Sequence, residues 1–192
     1  MWPTVLSLLA SLITIGSFYP YVRDIRNGTI KPHVFSWFIW SITTLIVFLA
    51  QLADGGGWGA WPIGLSGVIT VGVTLLAWQR YCLFNVTRWD WGFLVSAGVA
   101  LILWALTDNP LWAAVIMTTV DVLGFAPTLR QAYHHPHQEQ VGFYLWFVIR
   151  NILVCLALEN LTITTLVFPV ATGIASGLLV AVILYRRQHH HH

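Results

Sequence analysis

Along this chain, continuous apolar runs alternate with short polar breaks at about 3–22, 33–53, 60–79, 89–106, 110–130, 141–158 and 162–185. Each run is close to the roughly 20 apolar residues that a helix needs to cross a bilayer core. None alternates apolar and polar residues with a period of two, and in lipid only helices or closed barrels satisfy the backbone, so the pattern predicts helices and excludes a barrel. The expected fold is an all-α membrane protein of seven transmembrane helices joined by short loops.

Composition strengthens that reading. Hydrophobic residues make up 57% of the 192 and charged residues 8%, against about 25% charged in an ordinary soluble domain. Nine basic and seven acidic residues give a net charge of +2, too little for the basic field that holds a nucleic acid. The partners expected are therefore a small-molecule solute and the lipid bilayer, not nucleic acid, and a homo-oligomer is left open. Cys82 and Cys155 fall near opposite faces of the bilayer on this assignment, which argues against a disulfide. The first run has no preceding basic residue and no following cleavage site, which argues against a signal peptide. His189 to His192 read as an affinity-tag remnant.

The basic residues divide by side. Arg23, Arg26 and Lys31 lie in the first loop, Arg80 and Arg88 in the third, Arg130 in the fifth, and Arg186 and Arg187 at the C-terminus. The second, fourth and sixth loops have none. The positive-inside rule then places the N-terminus outside and the C-terminus in the cytoplasm of a bacterial-type inner membrane. Trp2, Trp58, Trp61, Trp78, Trp89 and Trp112 stand at span ends, where the amphipathic indole anchors to headgroups.

A shift of 107 residues lays Pro3 on Pro110, Pro20 on Pro127 and Pro62 on Pro169, and also Phe18 on Phe125 and Arg23 on Arg130. That offset spans four helices, so the two copies share one topology and are parallel. It divides the chain into a first three-helix repeat at 3–81, an inverting linker helix at 82–109 and a second three-helix repeat at 110–188. Two motifs lie in matching places. Tyr19-Pro20-Tyr21 with Arg23-Asp24, followed by Ser36-Trp37-Phe38-Ile39-Trp40, resembles a PQ-loop motif, and Phe125-Ala126-Pro127-Thr128 with Arg130, followed by Tyr144-Leu145-Trp146, resembles its second copy. With the 3+1+3 layout, about 160 residues are similar to the SWEET and PQ-loop (MtN3-like) transporter superfamily. The resemblance implies a carrier that works by alternating access, with Pro20 and Pro127 as hinges near the cytoplasmic ends; a static kink is the other reading of either proline. Tyr21 and Thr128 replace the motif's glutamine, and the asparagines that SWEET sugar carriers place on the third and seventh helices are missing, so a sugar is not implied. Ser66, Thr70 and Thr74 on helix three, and Thr172 and Ser176 on helix seven, offer hydrogen bonds instead.

Two ionisable residues fall in mid-span. Asp121 is nine residues from Arg130 and Arg150 nine from Val141, or roughly 13–14 Å deep at 1.5 Å per residue. Charges at that depth cost at least about 2.5–3.5 kcal/mol each, so they face a partner or a water-filled cavity. Their equivalents in the first repeat are Thr14 and Thr43, so the charges are placed asymmetrically. Asp121 would take up a proton or meet a cationic group, while Arg150 would bind an anionic group. The competing reading is a permanent ion pair locking two helices. At the same level lie Trp37, Trp40, Tyr144, Trp146, Phe147 and Asn151, expected to wall the substrate site; Trp40 pairs with Phe147, and Trp37 with Tyr144, under the shift.

His134, His135 and His137 with Glu139 form a run broken by Pro136, which points to a solvated loop and not a metal site. No cofactor and no metal are called for, and no carboxylate or histidine cluster points to an enzyme. The only lysine, Lys31, is in a loop, which excludes a retinal protein. Gly55 to Gly57 predict a flexible outer turn. The expectation is a carrier of a small polar or aromatic solute, proton-coupled or not. Its rival is a non-transporting receptor of the same fold.

Overall fold

The computed structural model describes residues 2–28, 34–81, 88–134, 136 and 141–189. Among these the chain is all-helical, with no strand. In order come α1 (Trp2–Arg26), α2 (Val34–Ala53), a short 3-10 turn (Gly57–Ala60), α3 (Trp61–Tyr81), α4 (Arg88–Thr107), α5 (Leu111–Leu123), α6 (Phe125–His134), α7 (Val141–Ala157) and α8 (Ile163–His189). Three stretches, Trp2–Arg26, Gly57–Arg80 and Ile163–Gln188, are long and apolar enough to cross a membrane.

The run at 110–130, expected as one helix, is two. At the break, the Gly124 N–H is shared between the carbonyls of Val120 at 3.2 Å and Asp121 at 3.0 Å. Pro127 has no N–H to offer the Leu123 carbonyl four residues back, so the ladder lacks a rung at the break. A Cβ at position 124 would collide with the Trp40 indole nitrogen, so glycine is what lets α2 approach there. The matching Pro20 sits inside an uninterrupted α1. That helix also runs one turn beyond the expected end. Charged residues do not stop a helix; Gly28 does, with φ +74° and its N–H bonded to the Ile25 carbonyl at 3.1 Å.

Six helices close a ring in which each packs on two neighbours: α1 on α3, α3 on α2, α2 on α5, α5 on α8, α8 on α7, and α7 on α1. Glycines permit the tightest of these contacts. A Cβ at Gly64 would lie 2.8 Å from the Phe48 ring, and one at Gly67 2.7 Å from Leu45 Cδ2. α4 stands outside the ring, against α5. The ring buries a layer of polar groups beside its apolar core and is apolar outside: Thr14, Thr43, Thr44, Thr70, Asp121, Arg150, Asn151 and Thr172 are buried, while Leu8, Leu12, Val68, Ile152, Ile174 and Leu178 are exposed. Trp2, Trp58, Trp61, Trp78 and Trp112 lie exposed at or near helix ends.

The two ends of the ring are held differently. At the end carrying residues 54–60 and 158–162, the halves are laced by hydrogen bonds. Trp58 N–H donates to Glu159 Oε1 at 3.3 Å, Glu159 N–H to the Gly56 carbonyl at 3.3 Å, and Asn160 Nδ2 to the Asp54 carbonyl at 2.9 Å. The Thr162 hydroxyl donates to the Asp54 carboxylate, and just below, Gln51 Nε2 donates to the Thr165 carbonyl at 2.7 Å. Gly55 to Gly57 are thus part of an ordered clasp and not a loose turn. Gly57 adopts φ +57°, and a Cβ there would strike the Glu159 carboxyl. At the opposite end the contacts between halves are aromatic. Phe18 meets Phe143 at 5.6 Å and Phe147 at 5.8 Å, Tyr21 meets Phe143 at 5.7 Å, and Trp40 meets Phe125 at 6.2 Å between ring centroids.

Candidate functional site

Between clasp and aromatic end lies a layer of buried polar groups. Its centre is Arg150, 1% exposed, on α7. The helix places it by period: Phe147, Arg150, Asn151 and Val154 recur at three- and four-residue spacing on the face turned toward the ring. The guanidinium carbon sits 4.4 Å from the centre of the Phe147 ring. Nη2 donates to Asn151 Oδ1 at 2.7 Å, and Asn151 Nδ2 donates to Thr172 Oγ1 at 3.2 Å on α8. Thr172 in turn donates to the Phe168 carbonyl at 2.7 Å, one turn back. Gly173 beside it lets α8 come close, since a Cβ there would lie 3.4 Å from Asn151 Cβ. The chain from helix backbone to guanidinium is complete, so Arg150 is held from one side. Its Nε and Nη1 are buried with no hydrogen-bond partner among the described residues.

Asp121, 6% exposed on α5, is reached from α2. Thr43 Oγ1 donates to Asp121 Oδ1 at 2.8 Å, and the Trp40 carbonyl is a second acceptor for the same proton at 3.1 Å. Asp121 and Arg150 interact electrostatically, yet their hydrogen bonds go elsewhere. The locking ion pair weighed on the sequence therefore does not form, and the reason is the order of packing: α8 lies between α5 and α7. Two more buried hydroxyls have no partner, Thr118 one turn from Asp121 and Ser176 one turn from Thr172. Unsatisfied buried polar atoms are rare in native proteins and call for an explanation wherever they gather.

The expected aromatic residues divide. Trp37, Trp40 and Phe147 gather around Phe18, with Trp37 at 6.2 Å from Phe18 and 5.5 Å from Trp40. Tyr144 packs toward Ala132, Leu179 and Ile183 and meets Phe143 at 5.4 Å. Trp146 is 50% exposed and stands on the outward rim of α7. Trp146 points away from the buried layer, because at this level α7 turns Phe147, Arg150 and Asn151 inward. Thr43 and Phe18 belong to the site although the sequence reading gave them no site role; the repeat offset pointed to both, as the mates of Arg150 and Phe125. Pro127 follows a break between two helices, whereas Pro20 lies inside a helix that continues through it.

His134 packs against Tyr133 at 5.5 Å. His135, His137 and Glu139 lie outside the described residues, as do Lys31, Cys82 and His190 to His192. Among the described residues no group of three metal-ligating side chains occurs. Comparison with family models, curated proteins and solved structures gives no match for this chain.

Proposed function

We propose that this chain is a seven-span carrier that moves a small polar or aromatic solute across a bacterial-type cytoplasmic membrane by alternating access, with its N-terminus outside. On this reading α5 and α6 form one broken crossing and α4 is the linker of a 3+1+3 layout. The packing supports it. Under the 107-residue offset, α1 on α3 corresponds to α5 on α8, α2 on α3 to α7 on α8, and α1 on α7 to α5 on α2. A frame of that kind places its binding site at the repeat interface near the midplane, which is the level of Asp121 and Arg150.

The observation that carries the proposal is the half-satisfied Arg150. A buried cation with two idle nitrogens is costly to keep, and a solute that occupies those nitrogens gives it a purpose. Asn151, Thr43, Trp40 and Phe147 shape the site, and Asp121 carries the coupling proton. Gly124 and Pro127 form the bend at which the second repeat moves. The test is uptake by proteoliposomes from a mixed pool of sugars, amino acids and organic acids, with and without an inward proton gradient, read by mass spectrometry. Gradient-driven accumulation of one solute, abolished by Asp121→Asn, is expected. The rival reading, a receptor that binds without moving its ligand, is favoured by the laced clasp. Tight binding with no flux through folded protein would select it.

A further inference from the structure

We propose that the solute bears a single carboxylate, seated on the free edge of Arg150 while Asp121 holds a proton. This names the substrate class of the site above and so rests on the carrier reading. A guanidinium has five N–H groups in one plane, and Asn151 takes one, from Nη2. The second Nη2 hydrogen lies along one edge only, beside Nε or beside Nη1 according to which hydrogen Asn151 takes, and both of those nitrogens are without a partner among the described residues. That edge is a two-toothed fork of the spacing that a planar carboxylate accepts. The Phe147 ring lies against the group, its centre 4.4 Å from the guanidinium carbon.

The clamp fixes this orientation. Because the Thr172 proton goes to the Phe168 carbonyl, Thr172 accepts from Asn151 Nδ2, and the amide oxygen is thereby turned to Nη2. Arg150 cannot swing to seek another partner without breaking that chain. A buried and oriented fork is preorganised for an anion.

Charge decides the valence. With Asp121 ionised, the Arg150–Asp121 couple is neutral and a further anion is unmatched. With Asp121 protonated the site is singly positive, and one carboxylate neutralises it. A dianion such as phosphate leaves a buried negative charge over. An alcohol or amide leaves the guanidinium uncompensated. A monocarboxylate arriving with one proton balances the site.

The purified protein in phosphatidylcholine nanodiscs, titrated calorimetrically at pH 5.5 and 8.5, tests this with matched probes: propionate against propionamide, lactate against lactamide, benzoate against benzamide and phenyl phosphate. At least one carboxylate is expected to bind at least tenfold more tightly than its amide at pH 5.5, with that preference shrinking at pH 8.5. At pH 8.5, where phenyl phosphate is a dianion, benzoate is expected to exceed it. Arg150→Gln is expected to erase the carboxylate-over-amide ratio. Equal binding of acid and amide by the wild type overturns the proposal, and this comparison needs no variant to fold. Phosphate preferred to carboxylate, or a ratio that survives in folded Arg150→Gln, overturns it too. The preferred acid is then offered to proteoliposomes. Selective binding with no flux leaves the carboxylate site standing and removes the carrier. Flux of a neutral solute that no carboxylate inhibits keeps the carrier and removes the carboxylate site.

Discussion

Thr43 and Asp121 offer the most quantitative test of how this interior works. Thr43→Val keeps the β-branch and the volume and deletes the hydroxyl that donates to Asp121 at 2.8 Å. Hydrogen bonds between membrane helices contribute on average about 0.6 kcal/mol in double-mutant cycles, with a maximum near 1.7 kcal/mol. Bonds to an ionised group are worth about 1.5–3 kcal/mol in proteins generally. The two states of Asp121 therefore predict different couplings. Against a carboxylate, the Thr43 proton is committed to Asp121, and the coupling energy lies at about 1.5 kcal/mol or more. Against a protonated Asp121, the carboxyl donates, the Thr43 proton turns to the Trp40 carbonyl at 3.1 Å, and the coupling falls to about 0.6 kcal/mol. The assay is a cycle of wild type, Thr43→Val, Asp121→Ala and the double variant, unfolded by SDS titration in bicelles at pH 8.5 and pH 5.5. Thr14→Val is the control. Its hydroxyl is buried too, but bonds only the Ala10 carbonyl of its own helix. Zero coupling at both pH values refutes the bond between α2 and α5, and equal non-zero couplings refute proton uptake by Asp121 in that range.

Other consequences are open to measurement. Gly124→Ala drives a methyl into the Trp40 indole; a loss of about 1–3 kcal/mol of stability and a shifted tryptophan emission are expected in the purified protein. Gly57→Ala meets both a positive φ and the Glu159 carboxyl, so a loss of at least about 1–2 kcal/mol in the same SDS titration is expected. Asp54→Ala with Glu159→Ala removes two side-chain bonds of the clasp, worth about 0.5–1.5 kcal/mol each. Water-soluble maleimide labelling of Val154→Cys, in a background with Cys82 and Cys155 replaced by serine, is expected to speed up by roughly 5- to 150-fold.

Most of the helices were legible because each apolar run is long and uninterrupted, and a run is a property of neighbours in sequence. The break at Gly124 was not, because the run stays apolar through it; that glycine is required there depends on where α2 lays Trp40. The depth of Asp121 and Arg150 could be counted from the loops. Their partners could not: Asp121 is bonded across the ring by Thr43 and Arg150 along its own helix by Asn151, choices that follow from α8 separating α5 from α7. Trp146 shows the same limit. Level along a helix is written in residue number, but which flank of α7 turns outward depends on α1 and α8 packed beside it.

The two rims of the ring differ in thermal character. Parting the Phe18, Tyr21, Phe143 and Phe147 rings wets apolar surface, which carries a large positive heat-capacity change, whereas parting the clasp exchanges protein hydrogen bonds for bonds to water and carries little of it. Cooling weakens hydrophobic closure and leaves a polar lacing comparatively intact. On the carrier reading proposed above, the side from which the interior is reached is therefore a function of temperature: cooling tilts the equilibrium toward an opened aromatic rim and a shut clasp, and warming moves it back.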